Sequence, residues 1–432
     1  MDEEKKLPTI MECTANYVLR ENDDQEIAQG KSNLLLDTEK LTVLPESGEP
    51  LLIPYRDVIQ VSKAGYKIDV RLVSKEKLTV FDLGYKYEDF LKNFSNLNNE
   101  VILKDLLMNE TLLRSGVEAD FSYIEENKTE KAQGQCELRI YETGVVIISG
   151  EGDFIRIPYS DLARIQVDNY KLILDTEYEE SYVFSKMGKE LDNCYKMLND
   201  LIKALSIKTQ LSLKELLPMY DSSVIRQIAK LMKDGRAARR FDIEAVSSGI
   251  WGELEKKLDV FGIKEEYEYL KSIGRAERTC IGIKRGLMGN ITGEYIWFLV
   301  PIFNSDPGQP GNAIAMEATA NDGSGRATYF FRITDPNNYL CFKSLEKALI
   351  EVDNALKKIN RHLITVNFRR EPIYLTNEQL NSTAYVGYQR TISKVPSLRE
   401  LRRLFIGRVM HYSPEQWKEA VIQLLRSNVS TG

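Results

Sequence analysis

The chain has 432 residues, a formal net charge of −6, 43% hydrophobic residues and 28% charged residues. That is the make-up of a globular chain of about three domains, and it excludes disorder as the main state. No apolar run reaches the roughly 18 residues that a membrane-spanning helix needs. The start, Met1-Asp2-Glu3-Glu4-Lys5-Lys6, shows no secretory signal. Five scattered cysteines (Cys13, Cys136, Cys194, Cys280 and Cys341) fit reduced thiols in the cytoplasm better than a disulfide framework. Two histidines, His362 and His411, lie outside any motif, which leaves little room for a His-rich metal site or a His-dependent triad.

The first 220 residues contain a duplication. Ala28-Gln29-Gly30 matches Ala132-Gln133-Gly134, and Ile53-Pro54-Tyr55-Arg56-Asp57 matches Ile157-Pro158-Tyr159-Ser160-Asp161. Tyr66-Lys67-Ile68 matches Tyr170-Lys171-Leu172, and Gly84 matches Gly188, all at one offset of 104. Leu103 to Leu107 then matches Leu213 to Leu217 after a six-residue insertion. In the first repeat Tyr66, Ile68, Val70 and Leu72 alternate with Lys67, Asp69 and Arg71, which predicts a strand with one buried face. Pro45 to Gly48 and Gly150 to Asp153 have turn chemistry. Each repeat ends on a helical period, Phe90, Phe94 and Leu97 in the first, and Cys194, Leu198, Leu201 and Leu205 in the second. Pro54 and Pro158 lack an N–H and belong at a strand start or edge.

About seven short strands followed by one amphipathic helix, in roughly 100 residues, resembles the pleckstrin-homology-like (PH-like) superfold. The Ile-Pro-Tyr-x-Asp phrase before an alternating strand is similar to its GRAM and bacterial PH-like variants. The resemblance covers about residues 8–98 and 112–206. It implies a non-catalytic module that binds proteins, peptides or phosphoinositides. Lipid-binding members carry a basic cluster after the first strand, where cations grip phosphate. Here that loop reads Arg20-Glu21-Asn22-Asp23-Asp24-Gln25-Glu26 in the first repeat and Glu125-Glu126-Asn127-Lys128-Thr129-Glu130-Lys131 in the second. Carboxylates there repel phosphate, which argues against phosphoinositide binding and for a protein partner.

Residues 207–274 lose the alternation and read as helices, with Ser222 as an N-cap and Gly235 as a stop. Lys230, Lys233, Arg236, Arg239 and Arg240 form a basic stretch across that stop. It suits a nucleic-acid or acidic-protein contact, or a solvated face beside a helix C-terminus. From Thr279 strands return. Tyr295 to Phe303 is nearly all apolar and reads as a central strand that ends or reaches an edge at Pro301. Ala313 to Ala320 and Ala327 to Ile333 extend an antiparallel meander, with a turn at Asn321 to Gly325. A helix follows from about Ser344, so a third, divergent repeat stays open. Gly286, Gly289 and Gly293 lack the ending of a phosphate loop, and Asp322 and Asp335 sit in turn chemistry. Ser397 with Glu400, and Ser413 with Gln416, predict two capped terminal helices. Residues 361–432 hold 11 Lys/Arg against 5 Asp/Glu.

These readings define an α+β chain. Residues 8–110 and 111–220 are two tandem PH-like antiparallel barrels, each closed by its C-terminal helix. Residues 221–274 are a helical linker and 275–432 a C-terminal α+β domain. The expected function is a non-catalytic, cytoplasmic protein-binding scaffold or adaptor without cofactor or metal. Arg236, Arg239, Arg240, Arg399, Arg402, Arg403 and Arg408 are the candidate contacts for an acidic protein partner, through their forked donors. The alternatives are an enzyme in the C-terminal domain, near Asp322, Arg326 or Asp335, and a nucleic-acid-associated factor using the basic stretches.

Overall fold

The computed structural model describes residues 8–21, 25–106, 110–125, 130–149, 154–287, 290–304, 306, 309–320, 326–340, 344–382 and 385–429. The chain divides into two compact units, Met1–Met108 with Leu375–Ser393, and Asn109–Tyr374 with Lys394–Gly432.

In the first unit, seven strands are followed by a helix. They are β1 (Met11–Arg20), β2 (Glu26–Leu36), β3 (Lys40–Pro45), β4 (Leu51–Pro54), β5 (Val58–Ala64), β6 (Lys67–Leu72) and β7 (Lys77–Phe81), then α1 (Tyr87–Leu106). They form one antiparallel sheet in the order β4-β3-β2-β1-β7-β6-β5. Alternation in β6 puts Ile68, Val70 and Leu72 in the core and leaves Lys67 and Arg71 exposed. On α1, Phe90 and Phe94 are buried in that same core, with Phe94 edge-on to Tyr55 at 5.7 Å. Each fully buried Phe contributes about 1.5–3 kcal/mol.

The second unit begins with the same arrangement. Its strands are β8 (Leu112–Ile124), β9 (Glu130–Tyr141), β10 (Gly144–Ser149), β11 (Phe154–Pro158), β12 (Leu162–Asp168), β13 (Lys171–Thr176) and β14 (Ser181–Ser185), then α2 (Glu190–Leu216). The order β11-β10-β9-β8-β14-β13-β12 repeats the first sheet strand for strand. The duplication reaches backbone detail. Tyr66 and Tyr170 have φ of 60° and 59°, Asp82 and Lys186 have 60° and 61°, and Lys75 and Glu179 have 73° and 58°. Tyr55 Oη donates to Asp37 O at 3.0 Å, and Tyr159 Oη donates to Tyr141 O at 2.8 Å, the position 104 residues on.

The seven strands and following helix match the pattern that the resemblance implies, but the barrels are not closed. β4 and β5, and likewise β11 and β12, stand at opposite ends of their sheets. Pro54 and Pro158 end the edge strands β4 and β11 without an N–H to donate. Short 3-10 turns, Tyr55–Asp57 and Tyr159–Asp161, then carry the chain across the gap.

Four helices follow, α3 (Ser222–Leu231), α4 (Arg240–Val246), α5 (Ile250–Val260) and α6 (Lys264–Ile273), with the short strand β15 (Ala238–Arg239) between the first two. Asp221 is the N-cap of α3, accepting from Ser223 N and Val224 N, one residue before the expected Ser222. Next come β16 (Cys280–Leu287), β17 (Asn290–Ile302), β18 (Ala313–Ala320), β19 (Ala327–Arg332), α7 (Pro336–Leu340) and α8 (Leu345–Thr365), the last capped by Ser344. The chain ends with α9 (Glu371–Tyr374), α10 (Asn377–Leu380), α11 (Val386–Lys394), α12 (Pro396–Leu404), β20 (Phe405–Met410) and α13 (Pro414–Val429). The third sheet runs β15-β16-β17-β18-β19-β20, an order unlike that of the two repeats, so it is no third copy.

The expected linker packs its helices onto this sheet. Ile228, Trp251, Leu254, Leu258, Tyr267 and Leu270 share one core with Phe298, Val300 and Phe330, and β15 adds an edge strand to the sheet. Pro301 pairs with Ile314, but the ladder to β16 ends at Leu299, so its missing N–H costs no bond on that side. At α12, Pro396 occupies the first turn and Val395 the N-cap, so the Ser397–Glu400 capping box does not form. Ser413 does cap α13, accepting from Gln416 N at 3.3 Å.

Candidate functional site

In the second unit, the outer face of the second repeat is gripped by later segments of the same unit. The turn after β11 sets it up. Tyr159 is buried, and Asp161 O accepts from Glu177 N at 2.8 Å. This places the Asp161 carboxylate beside the β13–β14 hairpin, which carries Glu177, Tyr178 and Glu180. From the other side, α3 ends in a 3-10 turn, Lys233–Gly235, that aims Arg236 at this hairpin. Gly235 has φ 83°, and a Cβ there would lie 2.4 Å from Lys284 Cβ, so the turn requires glycine. Arg361 arrives from α8.

Arg236 Nη2 donates to Ser160 O at 2.6 Å and Asp161 Oδ1 at 3.4 Å, while Nη1 donates to Glu177 Oε2 at 2.6 Å. Arg361 Nε donates to Asp161 Oδ2 at 3.2 Å and Nη1 to Glu180 Oε1 at 2.8 Å. Its guanidinium lies 4.2 Å over the Tyr178 ring, and Lys233 pairs with Glu177. On the same face Arg156, 5% exposed, donates to Ile364 O at 3.1 Å and Thr365 O at 3.2 Å at the end of α8. It also reaches Glu110 Oε1 and Thr143 Oγ1, each at 2.8 Å. Asp161 is 1% exposed. Burial pushes its carboxyl up, and the two guanidiniums pull it partly back down. Burial also works to raise Glu177, but bonds from Arg236 and Lys233 outweigh it and hold Glu177 below the usual range. Beside the network lies a cleft of about 660 Å³, lined in part by Tyr178, Lys230, Arg236, Arg239, Asp353 and Lys357.

The candidate arginines do not form one patch. Arg236 is consumed in this network. Arg239 lines the same cleft and pairs with Asp242 at 2.8 Å and Asp353 at 3.8 Å. Arg240 pairs with Glu244 at 2.8 Å. Arg402 is half-buried and donates to Pro372 O at 2.8 Å and Ile373 O at 3.2 Å. Arg403 pairs with Glu400 at 2.7 Å, and Arg408 lies 3.8 Å over the Tyr374 ring. Arg399, Arg403 and Arg408 are exposed. Asn22 to Asp24 and Glu126 to Thr129 lie outside the described residues, as do Gly289, the Asn321 to Gly325 turn with Asp322, and Cys341. Of the residues weighed for an enzyme, Asp335 accepts from Asn337 N at 3.0 Å, and Arg326 caps α5 through Phe261 O at 3.1 Å and Gly262 O at 2.8 Å.

Sequence reasoning passed over two groups. Arg361 is one; its only signal was membership of the C-terminal excess of cations. His411 is the other. Its Nδ1 lies 3.1 Å from Glu266 Oε1 and its Nε2 3.3 Å from Glu317 Oε2. Thr328 Oγ1 donates to Glu317 Oε2 at 2.9 Å and accepts from Trp417 Nε1 at 3.1 Å. Nε2 also lies 3.1 Å from Thr328 Oγ1, and with both carboxylates ionised the two ring nitrogens face acceptors, which favours the imidazolium. Burial alone would lower His411, but the bonds to Glu266 and Glu317 outweigh it and carry it up to about 9. A cavity of about 540 Å³ adjoins it, lined by Glu266, Tyr269, Tyr412 and Trp417 among others. Nothing in the local sequence, Val409-Met410-His411-Tyr412, announces this.

Among the described residues, no group of three or more His, Cys, Asp or Glu side chains is placed to hold a metal ion. None of the described helices is long and apolar enough to cross a membrane. No protein-family model matches the chain, and no curated protein matches it. Among solved structures, the crystal structure of the C-terminal domain of an unknown protein from Leishmania infantum is similar at 18% identity. That match covers 24% of this chain and 94% of the other, with a TM-score of 0.19. The structure of the Spt16D Pob3N heterodimer is similar at 12% identity, over 39% of this chain and 85% of the other, with a TM-score of 0.17.

Proposed function

We propose that the chain is a non-catalytic, intracellular protein-binding scaffold built on two PH-like modules of the GRAM and bacterial PH-like kind. Strand number, strand order and the following helix support the module reading. One observation carries the binding reading. The outer face of the second module already holds polypeptide, gripping Arg236, Arg361 and the last carbonyls of α8 through buried, charge-assisted bonds. A module whose face binds its own chain in this way has the chemistry to bind another. Arg399, Arg403 and Arg408 stand exposed on α12 and β20, Arg403 already holding Glu400 and Arg408 stacked on Tyr374, and an acidic protein partner would meet their outer edges. The test is affinity capture with the full chain from native extract, followed by reconstitution with the purified partner. A stoichiometric complex weakened by salt and by glutamate at Arg399, Arg403 and Arg408 is expected. Failure of any protein to reconstitute overturns the reading.

The Glu266–His411–Glu317 cluster beside its cavity favours a second reading, an enzyme seated in the C-terminal domain. Its chemistry is limited, since an imidazolium held at both nitrogens has no free lone pair to accept a proton. Substrate-turnover screening of the intact chain against a His411→Phe variant separates the two readings.

A further inference from the structure

The duplication lets one repeat report on the other. Across the outer face of the second repeat, Arg139, Val146 and Arg156 form a row, Val146 being paired with both. The three are 1%, 0% and 5% exposed, and Arg156, on the strand β11 against which α8 packs, bonds the last carbonyls of that helix. The matching row in the first repeat is Leu35, Thr42 and Leu52, in the same register. Leu35 and Thr42 are half-buried and Leu52 is 59% exposed. Pro54 and Asp57 are exposed where Pro158 and Asp161 are buried. Burial and polarity are thus inverted. The row with two arginines is covered, and the row with two leucines is left part-exposed, with Leu52 in solvent contact, the costlier arrangement for apolar surface.

The arginine-binding frame also persists. Asp57 and Glu76 occupy the positions of Asp161 and Glu180, which hold Arg361 in the second repeat. Val73 N donates to Asp57 O at 2.8 Å, as Glu177 N does to Asp161 O, and Leu72 N donates to Glu76 O at 2.9 Å, as Thr176 N does to Glu180 O at 2.8 Å. Arg56 and Lys75 replace Ser160 and Glu179, so this face is close to neutral rather than strongly acidic. Apolar contact must then supply most of the affinity, with the carboxylates orienting the ligand.

We propose that the outer face of the first repeat, Leu35–Thr42–Leu52 with Asp57 and Glu76, is the docking surface for an amphipathic helix of a partner protein that carries an arginine beside its apolar stripe. This rests on the scaffold reading and names the surface. The probe is a fluorescent peptide with this chain's own sequence from Glu351 to Val366. It is amphipathic and contains Arg361, and its seat on the second repeat is already filled in the intact chain. Anisotropy titration of the full chain should show saturable binding. Leu52→Asp, Thr42→Lys and Asp57→Lys should each weaken it at least about tenfold, as loss of one well-placed interface side chain does. Tyr85→Ala should leave it unchanged, and circular dichroism should report native fold in all four.

Absence of saturable binding, or binding insensitive to both Leu52→Asp and Thr42→Lys, overturns the proposal. A wild-type chain that sediments as a dimer and a Leu52→Asp chain that sediments as a monomer would assign the face to a second copy instead, and overturns it too. Affinity capture in parallel separates this from the scaffold reading. A reconstituted partner held equally by wild type and Leu52→Asp removes this face alone, whereas no partner for either removes both.

Discussion

Replacing Arg361 with methionine tests whether the charged network locks α8 to the second repeat. Methionine keeps an unbranched apolar stem against Tyr178 but deletes the guanidinium. Asp161, 1% exposed, then keeps among the described residues the Arg236 guanidinium at 3.4 Å and the Ser160 hydroxyl at 3.5 Å, and Glu180, with its side chain 14% exposed, loses Arg361. Breaking a buried pair from one side costs about 3–5 kcal/mol, because the remaining charge stays desolvated. The double variant Arg361→Met with Asp161→Asn should recover part of that loss, since the two residues are coupled by about 0.5–3 kcal/mol. Urea unfolding followed by circular dichroism measures both variants against wild type, with the m-value checked for constancy. Limited proteolysis should show earlier cleavage in the second unit. A loss below about 1 kcal/mol for Arg361→Met, the range of an exposed pair, would refute the buried latch.

The His411 clamp predicts a pH effect. The folded pKa is raised to about 9 from 6.5, so its stabilisation is complete below pH 6.5 and is lost as pH rises through 9. That shift amounts to about 3 kcal/mol, seen as a falling urea midpoint that His411→Phe should flatten. Tyr170→Gly should stabilise by about 0.5–1 kcal/mol, because Tyr170 is 89% exposed at φ 59° and the change creates an Asn-Gly turn; thermal melts check it. Tyr66→Gly should gain less, since Tyr66 packs edge-on against Tyr87 at 5.4 Å. Cys13, Cys136 and Cys280 are buried thiols pushed up to about 11, 12 and 12, so iodoacetamide at neutral pH should label them only on unfolding, as peptide mass mapping would show.

The repeats were legible because alternation and turn chemistry are local. A period of two in Tyr66 to Leu72, a proline at each edge strand and a helical tail are enough to place seven strands and a helix twice. Closure was not legible, since the pairing of β4 with β5 is decided by the path of a three-residue turn. The packing of residues 221–274 was hidden for a related reason. Their apolar side chains, Trp251, Leu254 and Tyr267, announce that they are buried but not against what, and the answer is a sheet that begins later in the chain.

Charge was the hardest feature to read, and it shows why the repeats diverged. An arginine in sequence has no address. Arg236 and Arg361 stand 125 positions apart and meet on one carboxylate, Asp161. Asp57 and Asp161 occupy the same place in the two repeats, and only the second is buried. The difference lies outside either repeat, in helices that the second face captured. The duplicated module therefore fixes where a carboxylate stands, while the chain around it fixes whether that carboxylate is solvated or bound. Leu52 and Arg156 stand at the same place in the two repeats, the first exposed and the second covered, and Arg156 holds the last carbonyls of α8.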